Sequence, residues 1–201
     1  MEFGTWLLYA VAAVGLSLTP GPNGLLALTH GALYGAKRTI ATILGGLTGF
    51  ALVIAASLFG IGALLAANAG LLTILKWVGG AYLIFLGFQI WRSDPIGVTT
   101  PRAGASGPRN LFNQGLLSAI SNPKGILFFV AFLPQFVDPE RSLVIQFLIM
   151  AGTFLAVEFV YEICVAYFAN KVQPFLKRAG KNFNRFFGGV FAFLGVLLPL
   201  R

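Results

Sequence analysis

Cysteine and histidine each occur once in the 201 residues, and only six residues are acidic. A lone Cys164 excludes an intrachain disulfide, and one cysteine with one histidine, His30, cannot assemble the Cys/His set that a soft metal needs. No cofactor is implied. Charge is scarce as well: 10% of residues are charged, against about 25% in an ordinary soluble domain. That excludes a chain that wraps itself in a solvated charged surface. Apolar residues fill the space, at 57% of the total.

The apolar residues run in long stretches. Residues 3–36, 39–75 and 77–91 carry no charge; 110–137 is interrupted only by Lys124, 142–170 only by Glu158 and Glu162, and 182–200 only by Arg185. Most of these are near or above the roughly 18 to 20 residues that cross the hydrocarbon of a bilayer. The expected fold is an all-α integral membrane protein with six transmembrane helices near 5–30, 39–66, 71–91, 111–136, 143–169 and 183–200. No room remains for a soluble domain. The opening MEFGTW lacks the basic region of a cleavable signal peptide, so the first stretch reads as a retained helix.

The net charge of +8 is distributed as membrane orientation requires rather than as a nucleic-acid surface. Lys37, Arg38, Arg92, Arg102, Arg109, Lys171, Lys177, Arg178, Lys181 and Arg185 fall in the first, third and fifth loops, whereas Lys76, Arg141 and Arg201 fall on the opposite side. The positive-inside rule places the odd loops in the cytoplasm and both termini outside. Trp6 and Trp77 on one side, and Tyr34 and Trp91 on the other, suit interfacial aromatic belts. The basic stretch KVQPFLKRAGK reads as an orientation signal in contact with lipid headgroups.

A shift of 101 positions lays LSLTPGPNGLLAL (16–28) over LSAISNPKGILFF (117–129) and aligns Leu16, Ser17, Pro22, Gly24 and Leu26 with Leu117, Ser118, Pro123, Gly125 and Leu127. The matched segments belong to the first and fourth helices. Each repeat therefore holds three helices, and an odd number inserts the second copy upside down. The expected organisation is a single membrane transport domain over 1–201. Repeat one covers about 1–92, a Pro/Gly-rich linker about 93–110, and repeat two about 111–201. Paired Pro/Gly interruptions at corresponding positions of two halves point to a transporter binding site.

Both interruptions fall near the middle of their stretches. Proline removes a backbone donor and frees polar groups that lipid cannot satisfy, so the broken backbone must face protein or a watery cavity. Each downstream half-helix would expose unpaired N–H groups at the positive end of its dipole, which favours an anion such as a carboxylate. The candidate substrate-binding residues are Pro20, Gly21, Pro22, Asn23 and Gly24 in the first break and Asn122, Pro123, Lys124 and Gly125 in the second. Lys124 places an ammonium at a depth costing roughly 3 kcal/mol, which calls for a function or a partner.

Glu158 and Glu162 lie four apart on one face of the fifth helix, Glu158 near its middle. Glu158 reads as a proton-coupling or amine-binding group and Glu162 as a relay or gate, against the plainer alternative of a structural ion pair with Lys124 or a protonated, hydrogen-bonded glutamate. His30 reads as an interfacial side chain at the cytoplasmic end of the first helix. Gly45 and Gly49 form a G-x-x-x-G spacing that allows close helix packing, with dimerisation as the other use and a homo-oligomer left open.

SLTPGPN, KWVGGAYLIFLGFQIWR and NPKGILFFVAFLPQF, together with the ending FGGVFAFLGVLL, resemble the LysE/RhtB-type amino-acid exporters of bacterial inner membranes. The likeness covers nearly the whole chain. It implies export of amino acids or related metabolites driven by proton exchange, with membrane lipids and protons as the other partners. It also favours Glu158 over Glu162 as the coupling residue. Many members place a His or an acidic residue in the second helix where LTGFALVIAAS has Phe50 and Val53, which implies a more apolar substrate. The chain is therefore read as a transporter and not an enzyme. One alternative is an exporter of inorganic cations on a related scaffold. A thiol electron-relay enzyme ranks lower, because neither break carries a cysteine.

Overall fold

The structure is a computed structural model that describes residues 1–19, 21–67, 70–92 and 107–200, the side chains of 64–67, 72, 123, 124, 170, 172–180 and 183 excepted. Among the described residues it is all helical: α1 (Phe3–Leu18), α2 (Pro22–Tyr34), α3 (Ala36–Ala67), α4 (Leu71–Arg92), α5 (Pro108–Ile120), α6 (Pro123–Phe132), α7 (Leu143–Tyr167) and α8 (Ala169–Leu197), with short 3-10 turns after α6 and α8. α3, α4 and α7 are each long and apolar enough to cross a membrane. α1 with α2, and α5 with α6, form two further apolar units, bent by 53° and 49° at their breaks. The apolar part of α8 is shorter, Asn184–Leu200.

The prolines begin helices rather than kink them. Pro22 and Pro108 occupy the first turns of α2 and α5, and Pro123 is the first residue of α6, where a missing N–H costs nothing. Upstream of each break a hydroxyl doubles the bond its own backbone N–H makes: Thr19 Oγ1 donates to the Gly15 carbonyl at 2.7 Å and Ser121 Oγ to the Leu117 carbonyl at 2.5 Å. The same pattern occurs at both breaks.

Three element boundaries differ from the sequence expectation. α2 and α3 are joined by Gly35 alone, at φ 77°, a conformation that L side chains rarely adopt. Lys37 and Arg38 thus sit in the first turn of α3 instead of a loop. α8 begins at Ala169, directly after α7, and not near 183. The basic stretch after Asn170 is its first half, because charge in the interfacial region does not stop a helix. α5 opens at Pro108, so the last residues of the expected 93–110 linker are helical, while 93–106 and Arg102 lie outside the described residues.

Glycines set the packing directions. A Cβ at Gly45 or Gly115 would overlap the carbonyl of Phe112 or Thr42, and one at Gly49 would lie 2.9 Å from that of Leu116; α3 and α5 therefore run parallel in close contact. This is the packing use expected of Gly45 and Gly49. Gly24 faces Tyr161 and Gly31 faces Ala166, so α2 runs parallel to α7. Gly80 faces Gly195 and Gly87 faces Gly188, so α4 and α8 are antiparallel. Gly46 beside Glu162 and Gly62 against Leu143 make α3 and α7 antiparallel too.

The largest apolar cluster lies around α6, where Phe128, Phe129 and Phe132 are fully buried among Tyr9, Phe154 and Phe191. Tyr9 hydroxyl donates to the Met150 carbonyl at 2.9 Å, tying α1 to α7. Large apolar side chains also cover the outside, including Leu7, Phe85, Phe88, Leu148, Val160 and Phe193. A water-facing protein does not expose a continuous surface of this kind; a membrane protein presents it to lipid.

Candidate functional site

The two breaks meet. A small cavity of about 30 Å³ is lined by Gly21, Asn23 and Gly24 of the first break and by Asn122 and Gly125 of the second, with Glu158 of α7 on its wall. Six residues chosen from sequence thus share one space, although they come from three separate segments. Pro20 lies outside the described residues. Pro22 opens α2, and Pro123 and Lys124 form the first turn of α6, but the Lys124 side chain is not among those described.

The two helix starts are not equivalent. At α6, Asn122 Oδ1 accepts the backbone N–H of Gly125 at 3.4 Å, the placement of an N-cap side chain. At α2 the corresponding position is Gly21, and no side chain caps the helix. The open N-terminus, which is the better anion acceptor, belongs to α2.

Glu158 is 5% exposed and Glu162 1%. They occupy different surroundings despite their shared face. Glu158 reaches the cavity. Glu162, one turn on, is hydrogen-bonded to Asn23, and both lie beside Gly46 of α3. Two buried polar atoms here have no hydrogen-bond partner among the described residues, Asn23 Oδ1 and Glu162 Oε1. A third, Ser17 Oγ, belongs to a residue on the cavity wall. Buried groups of this kind are rare and mark places where water or a ligand is bound.

Two aromatic residues complete the site. A Cβ on Gly24 would lie 2.9 Å from the Tyr161 hydroxyl, and one on Gly125 3.3 Å from the Phe50 ring. Each break is therefore backed by a ring from the other half of the chain. Phe50 also meets Phe154 edge-on at 5.3 Å and Phe129 at 6.3 Å, and Phe50 and Phe154 both line the cavity. On the His30 side of Gly24 along α2, Ala27 is buried with Ile43 and Ala166, and Leu47 and Ile163 pack against them.

His30 differs from the expectation of an interfacial side chain. It is 4% exposed, its Nδ1 lies 2.7 Å from Thr42 Oγ1, and it hydrogen-bonds Gln114. Those partners, on α3 and α5, become available because α2 is inserted between helices rather than at the rim. Tyr161, Ser17 and Gly46 were not legible as site residues: Tyr161 sits between the two glutamates but on sequence alone is one more interior aromatic. No group of three or more His, Cys, Asp or Glu residues suited to a metal occurs among the described residues.

Comparison with known proteins identifies the family. The LysE type translocator family matches residues 14–201. An uncharacterized membrane protein of Vibrio cholerae is 34% identical, over 98% of both chains. The homoserine/homoserine lactone efflux protein of Salmonella typhimurium is 32% identical, over 98% of this chain and 97% of its own. The leucine efflux protein of Klebsiella pneumoniae is 30% identical, over 94% and 93%. No solved structure matches. With apolar helices packed around a shared break and a family match that takes in both breaks and α7, the chain is a multi-pass membrane protein and belongs to the LysE type translocator family.

Proposed function

We propose that the protein exports amino acids, or closely related small metabolites, across the bacterial inner membrane by proton-coupled alternating access. The observation that carries this reading is the cavity where the two breaks and Glu158 meet. Relatives over nearly the full length are named as efflux proteins for homoserine, homoserine lactone and leucine, and an amino acid suits the groups present. Its carboxylate is held at the uncapped start of α2 by the N–H groups near Asn23 and Gly24, with Lys124 of the first α6 turn as its other proposed partner. Its ammonium faces Glu158. Phe50 and Phe154 on the wall favour an apolar side chain such as leucine's.

At about 30 Å³ the cavity has room for one or a few waters and not for an amino acid. The site must widen to load, and the packed contacts on its two sides are the ones proposed to part. Separating the Ala27, Ile43 and Ala166 contact opens it toward His30; separating Phe50, Phe129 and Phe154 opens it the other way. A carboxyl pair one turn apart can carry a proton between these states, Glu158 at the cavity and Glu162 with Asn23 as relay.

Six crossings arranged as two inverted repeats fit this cycle, with repeat one over about 1–92 and repeat two over about 111–201. The packing supports it: α3 with α7 and α4 with α8, the pairs that the repeat makes equivalent, are each antiparallel. A two-fold axis in the membrane plane produces such pairings. The orientation is cytoplasmic at the α2–α3 junction and outside at both termini, because Lys37, Arg38, Arg92, Arg109 and Lys171 gather at the former end.

Reconstituted vesicles loaded with labelled L-leucine, L-homoserine and a wider amino-acid panel test the reading. Efflux of at least one of them driven by an imposed pH gradient is expected. Absence of gradient-driven flux for every member of the panel would refute it.

A further inference from the structure

A second cavity lies at the opposite end of the protein from His30, between the start of α4 and the turn that follows α6. Its volume is about 370 Å³, within the roughly 300 to 1,000 Å³ of ligand pockets. Lys76, Gln135, Asp138 and Phe136 line it, with Thr5 of α1 and Leu198 at the end of α8. Lys76 and Gln135 belong to two sequence motifs, KWVGGAYLIFLGFQIWR and NPKGILFFVAFLPQF, for which the central site has no use. Folding brings those motifs into contact. Gln135 Nε2 donates to the Lys76 carbonyl at 2.7 Å, an approach that Gly79 permits, since a Cβ there would overlap the Ala131 carbonyl.

That bond fixes the Gln135 amide and leaves its other end unsatisfied. Gln135 is 8% exposed, and its Oε1 is buried without a partner among the described residues. A buried acceptor held in place calls for a donor. Nearby, Asp138 contributes negative charge: its carboxylate pairs with Arg141 at 2.9 Å and accepts the Glu140 N–H at 3.1 Å, while remaining half-exposed. Lys76 contributes positive charge, and among the described residues no carboxylate pairs with it. An acceptor, an acid and a base around one space of this size match a small zwitterion.

The geometry points to a second binding site, at the outer mouth, for the zwitterionic headgroup of the amino acid: the ammonium bonds Gln135 Oε1 and faces Asp138, and the carboxylate faces Lys76. This assignment rests on the exporter reading. It makes the cavity a station that released substrate occupies, and through which substrate applied from that face must pass.

The test uses the full-length protein in vesicles of phosphatidylglycerol and phosphatidylcholine, with labelled L-leucine and L-homoserine varied on one face at a time. Lys76→Gln and Gln135→Leu are expected to raise the half-saturation concentration from the Lys76 face by about fivefold or more, and that from the His30 face by less than about twofold. Equal half-saturation in variants and wild type at the Lys76 face, or an equal rise at both faces, overturns the site while leaving the exporter reading intact. No flux in the wild type overturns both. Phosphatidylethanolamine also carries an ammonium beside an anion. A half-saturation that climbs with its mole fraction in the wild type but not in Gln135→Leu would assign the cavity to the lipid headgroup and overturn the substrate site.

Discussion

Asn23 and Glu162 meet beside Gly46: the asparagine hydrogen-bonds the carboxyl, and a methyl group at position 46 would overlap Asn23 Nδ2 and stand 3.7 Å from Glu162 Oε2. Gly46→Ala must therefore separate the pair or push α2 away from α3. Transport is expected to fall by about tenfold or more, equivalent to roughly 1.4 kcal/mol, with the protein still inserted. Gly60→Ala, which meets nothing within 4 Å, is the control and should transport at the wild-type rate in the same vesicle assay.

The bond itself is open to a double-mutant cycle. Asn23→Ala and Glu162→Gln, separately and together, should show a coupling of about 1 kcal/mol in kcat/KM, the usual size for a buried hydrogen bond. Strict additivity would mean that the two residues act independently and that Glu162 does not relay through Asn23.

Glu158 and Glu162 should separate in their effects. With Glu158→Gln, exchange of labelled for unlabelled amino acid is expected to continue at a raised half-saturation concentration, because the substrate ammonium loses its counter-charge, while the response to an imposed pH gradient disappears, since glutamine cannot carry a proton. Glu162→Gln is expected to slow both processes without uncoupling them. Gradient-driven accumulation by Glu158→Gln at the wild-type level would remove Glu158 from the coupling role.

Close packing between α3 and α5 makes a stability prediction. Gly115→Ala would drive its Cβ into the Thr42 carbonyl, backbone that cannot turn aside, so overpacking should cost about 1 to 3 kcal/mol. A clear fall in the thermal unfolding midpoint of the purified protein is the expected readout. Gly152→Ala, with open space around it, should leave the midpoint unchanged.

What the sequence makes legible is what local chemistry and spacing control. Proline and glycine mark the breaks because their effects act within one turn, and the shift of 101 positions relates the two. The glutamates stand out because charge in an apolar helix is costly wherever it points. Less legible is whatever depends on helices meeting. Gly35 joins α2 to α3 in a single residue, while the adjacent Lys37 and Arg38 resemble a loop. The basic residues after Asn170 read as a connection, yet they belong to α8. His30 looked peripheral because its partners, Thr42 and Gln114, lie on other helices. Phe50 departs from a family pattern, and its contact with Gly125, like that of Tyr161 with Gly24, depends on helices that lie apart in sequence.

The central claim is that substrate is held between the two breaks. Ser17 offers the most direct probe, since it lies on the cavity wall with an unpartnered hydroxyl, and the single native thiol, Cys164, is exposed on the outer surface of α7. In a Cys164→Ser background, Ser17→Cys can be labelled with a membrane-impermeant thiol reagent whenever the cavity opens. The account predicts that the transported amino acid slows this labelling, with half-maximal protection at its half-saturation concentration for transport. Labelling at an undiminished rate under saturating amino acid, in protein that still transports, would contradict it.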